Sequence, residues 1–179
     1  MKKDDPIRIL SIPGSGTRFL AQRVFTGAHT YHFGIEGRDQ TNDTTIAAWL
    51  RAGRPFVPLR DPVLTIITNL NMGRRVYVES FRKMYEWDRD AAIHVVPIEM
   101  DHVGSRLKIE AFGGKPDARR DSDHASKDHT GLRAAYWRYL EDGTLEDGDL
   151  VKIITDVQKD DGIQMLVRRY RREYRWMTT

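Results

Sequence analysis

The chain alternates short apolar runs with amphipathic segments. The first apolar run, IRILSI at 7–12, ends in the turn PGSG at 13–16 and is followed by an amphipathic segment at 17–25. Similar strand-like runs lie at 29–33, 55–59 and 93–98, and helical periods lie at 44–52, 63–70, 81–92, 103–112, 132–140, 149–157 and 163–174. Because parallel strands are joined by crossovers of helical length, this order predicts an α/β fold, with a parallel β-sheet flanked by helices.

The length indicates one domain, which we expect to span 1–179. With 40% hydrophobic residues, a chain of this size can bury a core of its own. The segment KPDARRDSDHASKDHT at 115–130 contains alanine as its only apolar residue type, which predicts a polar, mobile loop.

Charge and composition narrow the function classes. Lys and Arg total 29 against 26 Asp and Glu, a net charge of +3 that argues against a nonspecific nucleic-acid coat. The absence of cysteine rules out disulfides, thiolate metal sites and a cysteine nucleophile, and the histidines lack metal-ligand spacing, so we expect no metal. We find no signal peptide and no apolar run near the roughly 20 residues of a membrane span, and therefore expect a soluble cytoplasmic protein without a membrane partner.

The turn between the first strand and the first helix has the chemistry of an anion site. Gly14 and Gly16 let backbone N–H groups converge, Ser15 and Thr17 add hydroxyls, and Arg18 adds a positive charge at the helix start. The turn lacks the Lys-Ser/Thr pair of nucleotide triphosphatases and the third glycine of the Rossmann fingerprint. Glycine-rich turns are also common as purely structural elements, so the turn alone leaves both interpretations open.

A second basic residue stands where another strand meets a helix. Arg60 follows the strand FVPL at 56–59, at the edge where parallel strands open onto a ligand crevice, and Thr68 lies two helical turns further on. Arg60 has an alternative role as the partner of a neighbouring carboxylate.

Together these segments resemble the sulfotransferase superfamily, which transfers sulfate from 3′-phosphoadenosine 5′-phosphosulfate (PAPS). IPGSGTRFL at 12–20 is similar to its 5′-phosphosulfate loop, and LRDPVLTIIT at 59–68 to its 3′-phosphate motif. HVVPIEMDHVGSRLKIEAFGGKP at 94–116 is similar to the strand, acidic turn and helix that follow. The resemblance covers roughly 7–116 and implies a P-loop-like, three-layer fold, with PAPS as co-substrate and a hydroxyl or amine acceptor on a small molecule, sugar or peptide.

The resemblance also implies roles for single residues. The turn Gly14–Arg18 would bind the 5′-phosphosulfate, and Arg60 and Thr68 the 3′-phosphate. The family carries Lys or Arg at the position of Gly14, a charge for which Arg18 can compensate. We further expect the basic residues of the 115–130 loop to close over the nucleotide, namely Arg119, Arg120 and Lys127.

The acceptor's proton requires a general base, and the resemblance points to HTYHFGIE at 29–36. His32 is our first candidate, with Glu36 and His29 as alternatives, because an imidazole accepts a proton near neutral pH. The second function class is a nucleic-acid-binding module using VRRYRREYRW at 167–176, although a solvated helix face explains that run more simply. The third is a family member that binds the nucleotide without transfer. The cluster YWRY at 136–139 we interpret as helix packing rather than an acceptor wall.

Overall fold

The computed structural model describes residues 5–35, 43–81, 83, 94–97, 109–115, 131–165 and 168. Its strands are β1 (Ile7–Ser11), β2 (His29–His32), β3 (Arg54–Leu59) and β4 (His94–Pro97). They form one sheet in the order β2-β1-β3-β4, and every neighbouring pair is parallel. The predicted α/β class with a parallel sheet is therefore confirmed.

Five α-helices belong to the described part of the chain. They are α1 (Thr17–Phe19), α2 (Asp43–Arg51), α3 (Pro62–Asn71), α4 (Gly131–Asp142) and α5 (Gly148–Gln158). Short helical stretches also occur at 109–111 and 161–165. The remainder of the helices expected at 81–92, 103–112 and 163–174 lies mostly outside the described residues. No helix of the described chain is long and apolar enough to cross a membrane.

The first helix differs from the continuous α-helix expected at 17–25. After α1 the chain becomes π-helical over Leu20–Val24, and the N–H of Phe25 donates to the carbonyl of Leu20 at 2.7 Å. This hydrogen bond spans five residues, so the turn holds one residue more than an α-helical turn. Apolar periodicity does not reveal such a bond, because the buried residues Leu20 and Val24 also fit α-helical spacing.

Two clusters of buried side chains show that helices pack near both faces of the sheet. Ile9 of β1 and Phe56 of β3 belong to one cluster with the first helical segment and Phe112. The next residues along the same strands, Leu10 and Val57, belong to the other. That second cluster includes residues from α2, α3, α4 and α5: Ile46, Leu50, Val63, Leu64, Ile67, Ala135, Tyr136, Leu150, Ile153, Ile154 and Val157. Since successive strand residues face opposite sides, helices flank the sheet as the sequence predicted.

The strand order identifies the point of the sheet at which a ligand site is expected. β1 lies between β2 and β3, so the order of the strands reverses direction beside β1. In open parallel sheets, ligands bind outside the carboxyl ends of the strands at such a switch point. Here the carboxyl end of β1 leads into the glycine turn, and the carboxyl end of β3 leads into Arg60.

A candidate anion-binding site at the carboxyl ends of β1 and β3

The glycine turn is held in a conformation that requires glycine. Gly14 and Gly16 have φ angles of +86° and +81°, and the N–H of Ser15 donates to the carbonyl of Ile12 at 3.2 Å. A Cβ at position 14 would lie 3.1 Å from both the Asn69 side-chain nitrogen and the Thr68 methyl group. The turn therefore packs closely on α3, and any side chain at position 14 would meet both strain and crowding.

Arg60 joins the two predicted phosphate motifs directly. Its Nη1 donates to the carbonyl of Gly14 at 2.6 Å and to the hydroxyl of Thr68 at 3.0 Å. Arg60 and Thr68 are both half-buried. The structure thus brings the end of β3, the second turn of α3 and the glycine turn into contact, as expected for parts of one site.

Arg133 is a further candidate site residue, which the sequence alone did not indicate. It lies in the first turn of α4, and its Nη2 donates to the same Thr68 hydroxyl at 2.6 Å. Two guanidinium groups therefore converge on one hydroxyl group beside the glycine turn. Like charges this close repel each other, and an anion bound between them would replace that repulsion by attraction. The sequence around Arg133 carries no signal for this role, because a single arginine in an amphipathic helix is typical of a solvated surface.

Asp61 and Tyr136 hold α3 and α4 against the site. One carboxylate oxygen of Asp61 accepts from the N–H groups of Val63 and Leu64 at 2.8 and 3.3 Å, capping α3, whose first residue is Pro62. The other oxygen accepts from the Tyr136 hydroxyl at 2.7 Å. Asp61 and Tyr136 are 1% and 0% exposed. Tyr136 is thus a packing residue, as the sequence indicated, and it fixes the helix that carries Arg133.

Asn69 links the glycine turn to α3 by a second set of hydrogen bonds. Its buried side-chain amide donates to the carbonyls of Pro13, at 2.6 Å, and Thr65, at 2.8 Å. The first bond links residues separated by 56 positions in the chain. The carbonyls of Pro13 and Gly14 therefore both accept hydrogen bonds from side chains, those of Asn69 and Arg60. These bonds fix the backbone conformation of the turn.

His32 reaches the site through a chain of hydroxyl groups. The register pairs Ser11 of β1 with His32 of β2 at the carboxyl edge of the sheet. The Ser11 hydroxyl lies 3.2 Å from Nδ1 of His32 and 2.6 Å from the hydroxyl of Thr17, the first residue of α1. Ser11 is fully buried and Thr17 nearly so, whereas His32 is exposed. The first candidate base is thus hydrogen-bonded, through one serine, to the predicted anion-binding turn.

The other predicted site residues have different places. His29 lies at the opposite end of β2, where it pairs with Arg8, and it does not come together with the turn. Ser15 is buried within the turn, and Arg18 is exposed on α1. Glu36, Arg119, Arg120 and Lys127 lie outside the described residues, as does the 167–176 segment apart from Arg168.

We also searched for metal-binding groups and for related proteins. Among the described residues, no group of three or more His, Asp or Glu side chains is arranged to hold a metal ion. Comparison of the chain with protein-family models, curated proteins and solved structures gives no match.

Proposed function

We propose that this chain is a PAPS-dependent sulfotransferase with a P-loop-like, three-layer fold, transferring a sulfuryl group to a hydroxyl or amine acceptor. The observation that carries the proposal is the contact of Arg60 with both Gly14 and Thr68. It joins the two segments that resemble the donor-binding motifs at one edge of the sheet. A donor with phosphate at both its 5′ and 3′ positions needs two neighbouring anion sites, and the glycine turn and the Arg60–Thr68 element would be those two sites.

The 5′-phosphosulfate would lie on the turn, where the first amides of α1 and the Thr17 hydroxyl can donate to it. The 3′-phosphate would lie at Thr68, between Arg60 and Arg133. A guanidinium carries five N–H donors, so Arg60 can hold the Gly14 carbonyl and bind a phosphate oxygen at the same time. Charge-assisted bonds of this kind are about twice as strong as neutral ones.

In the transfer step, the acceptor oxygen or nitrogen attacks sulfur while His32 takes the acceptor's proton. The bond between sulfur and the bridging oxygen breaks, and its electron pair stays on that oxygen. The products are the sulfated acceptor and adenosine 3′,5′-bisphosphate. Negative charge grows on the leaving phosphate, and the backbone N–H groups of the turn together with the Arg18 charge would stabilise it.

A nucleotide-binding protein without transfer is the second candidate. It is favoured by Gly14, which stands where the resemblance implies a lysine or arginine close to the leaving oxygen. A side chain at position 14 would need the Asn69 and Thr68 side chains to shift and would adopt a strained φ. The two candidates share the donor site and differ only in turnover.

Calorimetry with adenosine 3′,5′-bisphosphate tests the shared site. Loss of one charge-assisted bond costs about 1.5–3 kcal/mol, so Arg60→Ala should weaken binding by about 10- to 150-fold. Thr68→Val should weaken it less, because its hydroxyl is neutral. Arg138→Ala is the matched control, since Arg138 is an exposed arginine on α4. No binding by the wild-type protein, or equal affinity in Arg60→Ala and Arg138→Ala, would refute the proposal.

Turnover separates the two candidates. Wild-type protein is supplied with PAPS labelled in the sulfuryl group and with panels of sugar, phenol, amine and peptide acceptors. Transfer of label that disappears in His32→Ala, with nucleotide affinity retained, supports the enzyme. Tight nucleotide binding with no labelled product across the panels supports the binding protein.

A further inference from the structure

The hydrogen-bonded chain from His32 through Ser11 to Thr17 has only two internally consistent directions. The Ser11 hydroxyl is fully buried and lies within hydrogen-bond distance of both neighbours. Each hydroxyl has a single proton, so Ser11 can donate to one neighbour only and must accept from the other. The direction of the chain therefore determines which nitrogen of His32 carries the proton.

In the first direction, Thr17 donates to Ser11 and Ser11 donates to Nδ1 of His32. The neutral ring then carries its proton on Nε2, and that nitrogen cannot act as a base. In the second direction, Nδ1–H of His32 donates to Ser11 and Ser11 donates to Thr17. Nε2 of the neutral ring is then unprotonated, and the Thr17 hydroxyl donates to a third group.

We propose that Ser11 is a positioning residue that makes the tautomer of His32 depend on whether an anion occupies the glycine turn. This inference rests on the proposed function for the identity of the anion. A phosphate or sulfate on the turn accepts hydrogen bonds but donates none when fully ionised, so the Thr17 hydroxyl donates its hydrogen bond to the anion. Thr17 must then accept from Ser11, which selects the second direction.

The change conserves protons and charge. The ring releases the proton on Nε2 to water and takes one from water at Nδ1, while the two hydroxyl groups rotate. No bond between heavy atoms changes. The consequence is that Nε2 becomes a competent base when the donor is in place and is blocked when the turn is empty. Ser11 itself touches neither substrate, so its contribution acts entirely through His32.

The ring nitrogens of His32 report this directly in long-range ¹H–¹⁵N correlation spectra. The protein is labelled with ¹⁵N and studied at a pH where its histidines are neutral, with His32→Asn used for assignment. Saturating adenosine 3′,5′-bisphosphate should move Nδ1 to the shift of a protonated nitrogen and Nε2 to that of an unprotonated one. His29 serves as an internal control, because it is exposed and lies at the other end of β2.

We call the hydrogen-bonded chain from His32 through Ser11 to Thr17 the relay. Two variants distinguish the relay from a general effect of ligand binding. In Ser11→Ala the nucleotide should still bind, but His32 should keep one tautomer mixture with and without it. Ser11→Thr retains the hydroxyl and should restore the response. If the wild-type tautomer is unaffected by bound nucleotide, or if Ser11→Ala responds like the wild type, the relay is refuted while the proposed function stands.

Inorganic phosphate tests the opposite case, in which the relay exists but the proposed function is wrong. If the nucleotide does not bind but inorganic phosphate switches the tautomer of His32 in a Ser11-dependent way, the relay stands and the proposed function fails. If neither ligand changes the His32 signals and neither binds, both are refuted.

Discussion

The hydrogen bond between Tyr136 and Asp61 allows a sharp test of how α4 is held. Tyr136→Phe removes one oxygen atom from a fully buried ring and leaves its packing in place. The Asp61 oxygen that accepted from Tyr136 at 2.7 Å then loses this donor, while its other oxygen keeps both N–H groups of α3. The substitution thus removes the hydroxyl group that joins α4 to the start of α3 and leaves the capping bonds of Asp61 in place.

A hydrogen bond to a charged group contributes about 1.5–3 kcal/mol, and more is lost when the remaining partner is buried. We therefore expect Tyr136→Phe to lower the free energy of unfolding by about 2–3 kcal/mol. For a chain of this size each kcal/mol corresponds to about 2–4 °C in Tm, so the midpoint should fall by roughly 4–12 °C. Because Arg133 lies one turn before Tyr136 on α4, nucleotide affinity should also fall, by less than in Arg133→Gln.

Urea denaturation followed by tryptophan fluorescence measures the loss, and calorimetry measures the affinity. Tyr77→Phe is the control, since Tyr77 is half-buried and the described residues provide no hydrogen bond to its hydroxyl. A loss below about 0.5 kcal/mol in Tyr136→Phe, or a loss equal to that of Tyr77→Phe, would refute the role given to this bond.

Three further predictions follow from other contacts. Gly14→Ala should lower the free energy of unfolding by more than Gly73→Ala in urea titrations, because both have positive φ, at about 1–2 kcal/mol of strain, but only position 14 is crowded. Arg133→Gln should weaken adenosine 3′,5′-bisphosphate binding by about 10-fold or more in calorimetry, and unchanged affinity would exclude it from the site. Hydrogen bonds from the Thr144 side chain and backbone lower the pKa of Asp142, so Thr144→Val should raise that pKa in an NMR titration. The lowered pKa favours the fold above the unfolded-state pKa of Asp142, and the contribution is lost as the pH falls through the folded-state pKa.

Short-range patterns predicted the parts of the site that are close in sequence. Two patterns could be recognised in the sequence: the glycines after an apolar strand, and an arginine followed eight residues later by a threonine. Both were recognisable because strand, turn and helix follow each other directly in the chain. The conformations found at Gly14 and Gly16 and the contact of Arg60 with Thr68 agree with that interpretation.

Long-range contacts supplied the rest, and no local pattern could have identified them. Arg133 meets Thr68 across 65 positions, and Tyr136 meets Asp61 across 75. Both depend on how α4 packs on α3, which is determined by apolar contacts shared among many residues. Ser11 offered a weak signal, since a hydroxyl stood in an otherwise apolar strand end, but its partners became evident only from the register of β1 with β2.

The position of β1 also has a consequence for the dynamics of the molecule. Residues Arg8 and Ile9 pair with strands on both sides, so β1 has no open edge at its centre. Amides in such a strand exchange with solvent only when a large part of the sheet opens, whereas turn amides exchange through local fluctuations. Hydrogen exchange should therefore slow abruptly on passing from Gly16 back to Ile9. A ligand on the turn needs to order only a few residues, because the strand beneath them is already rigid.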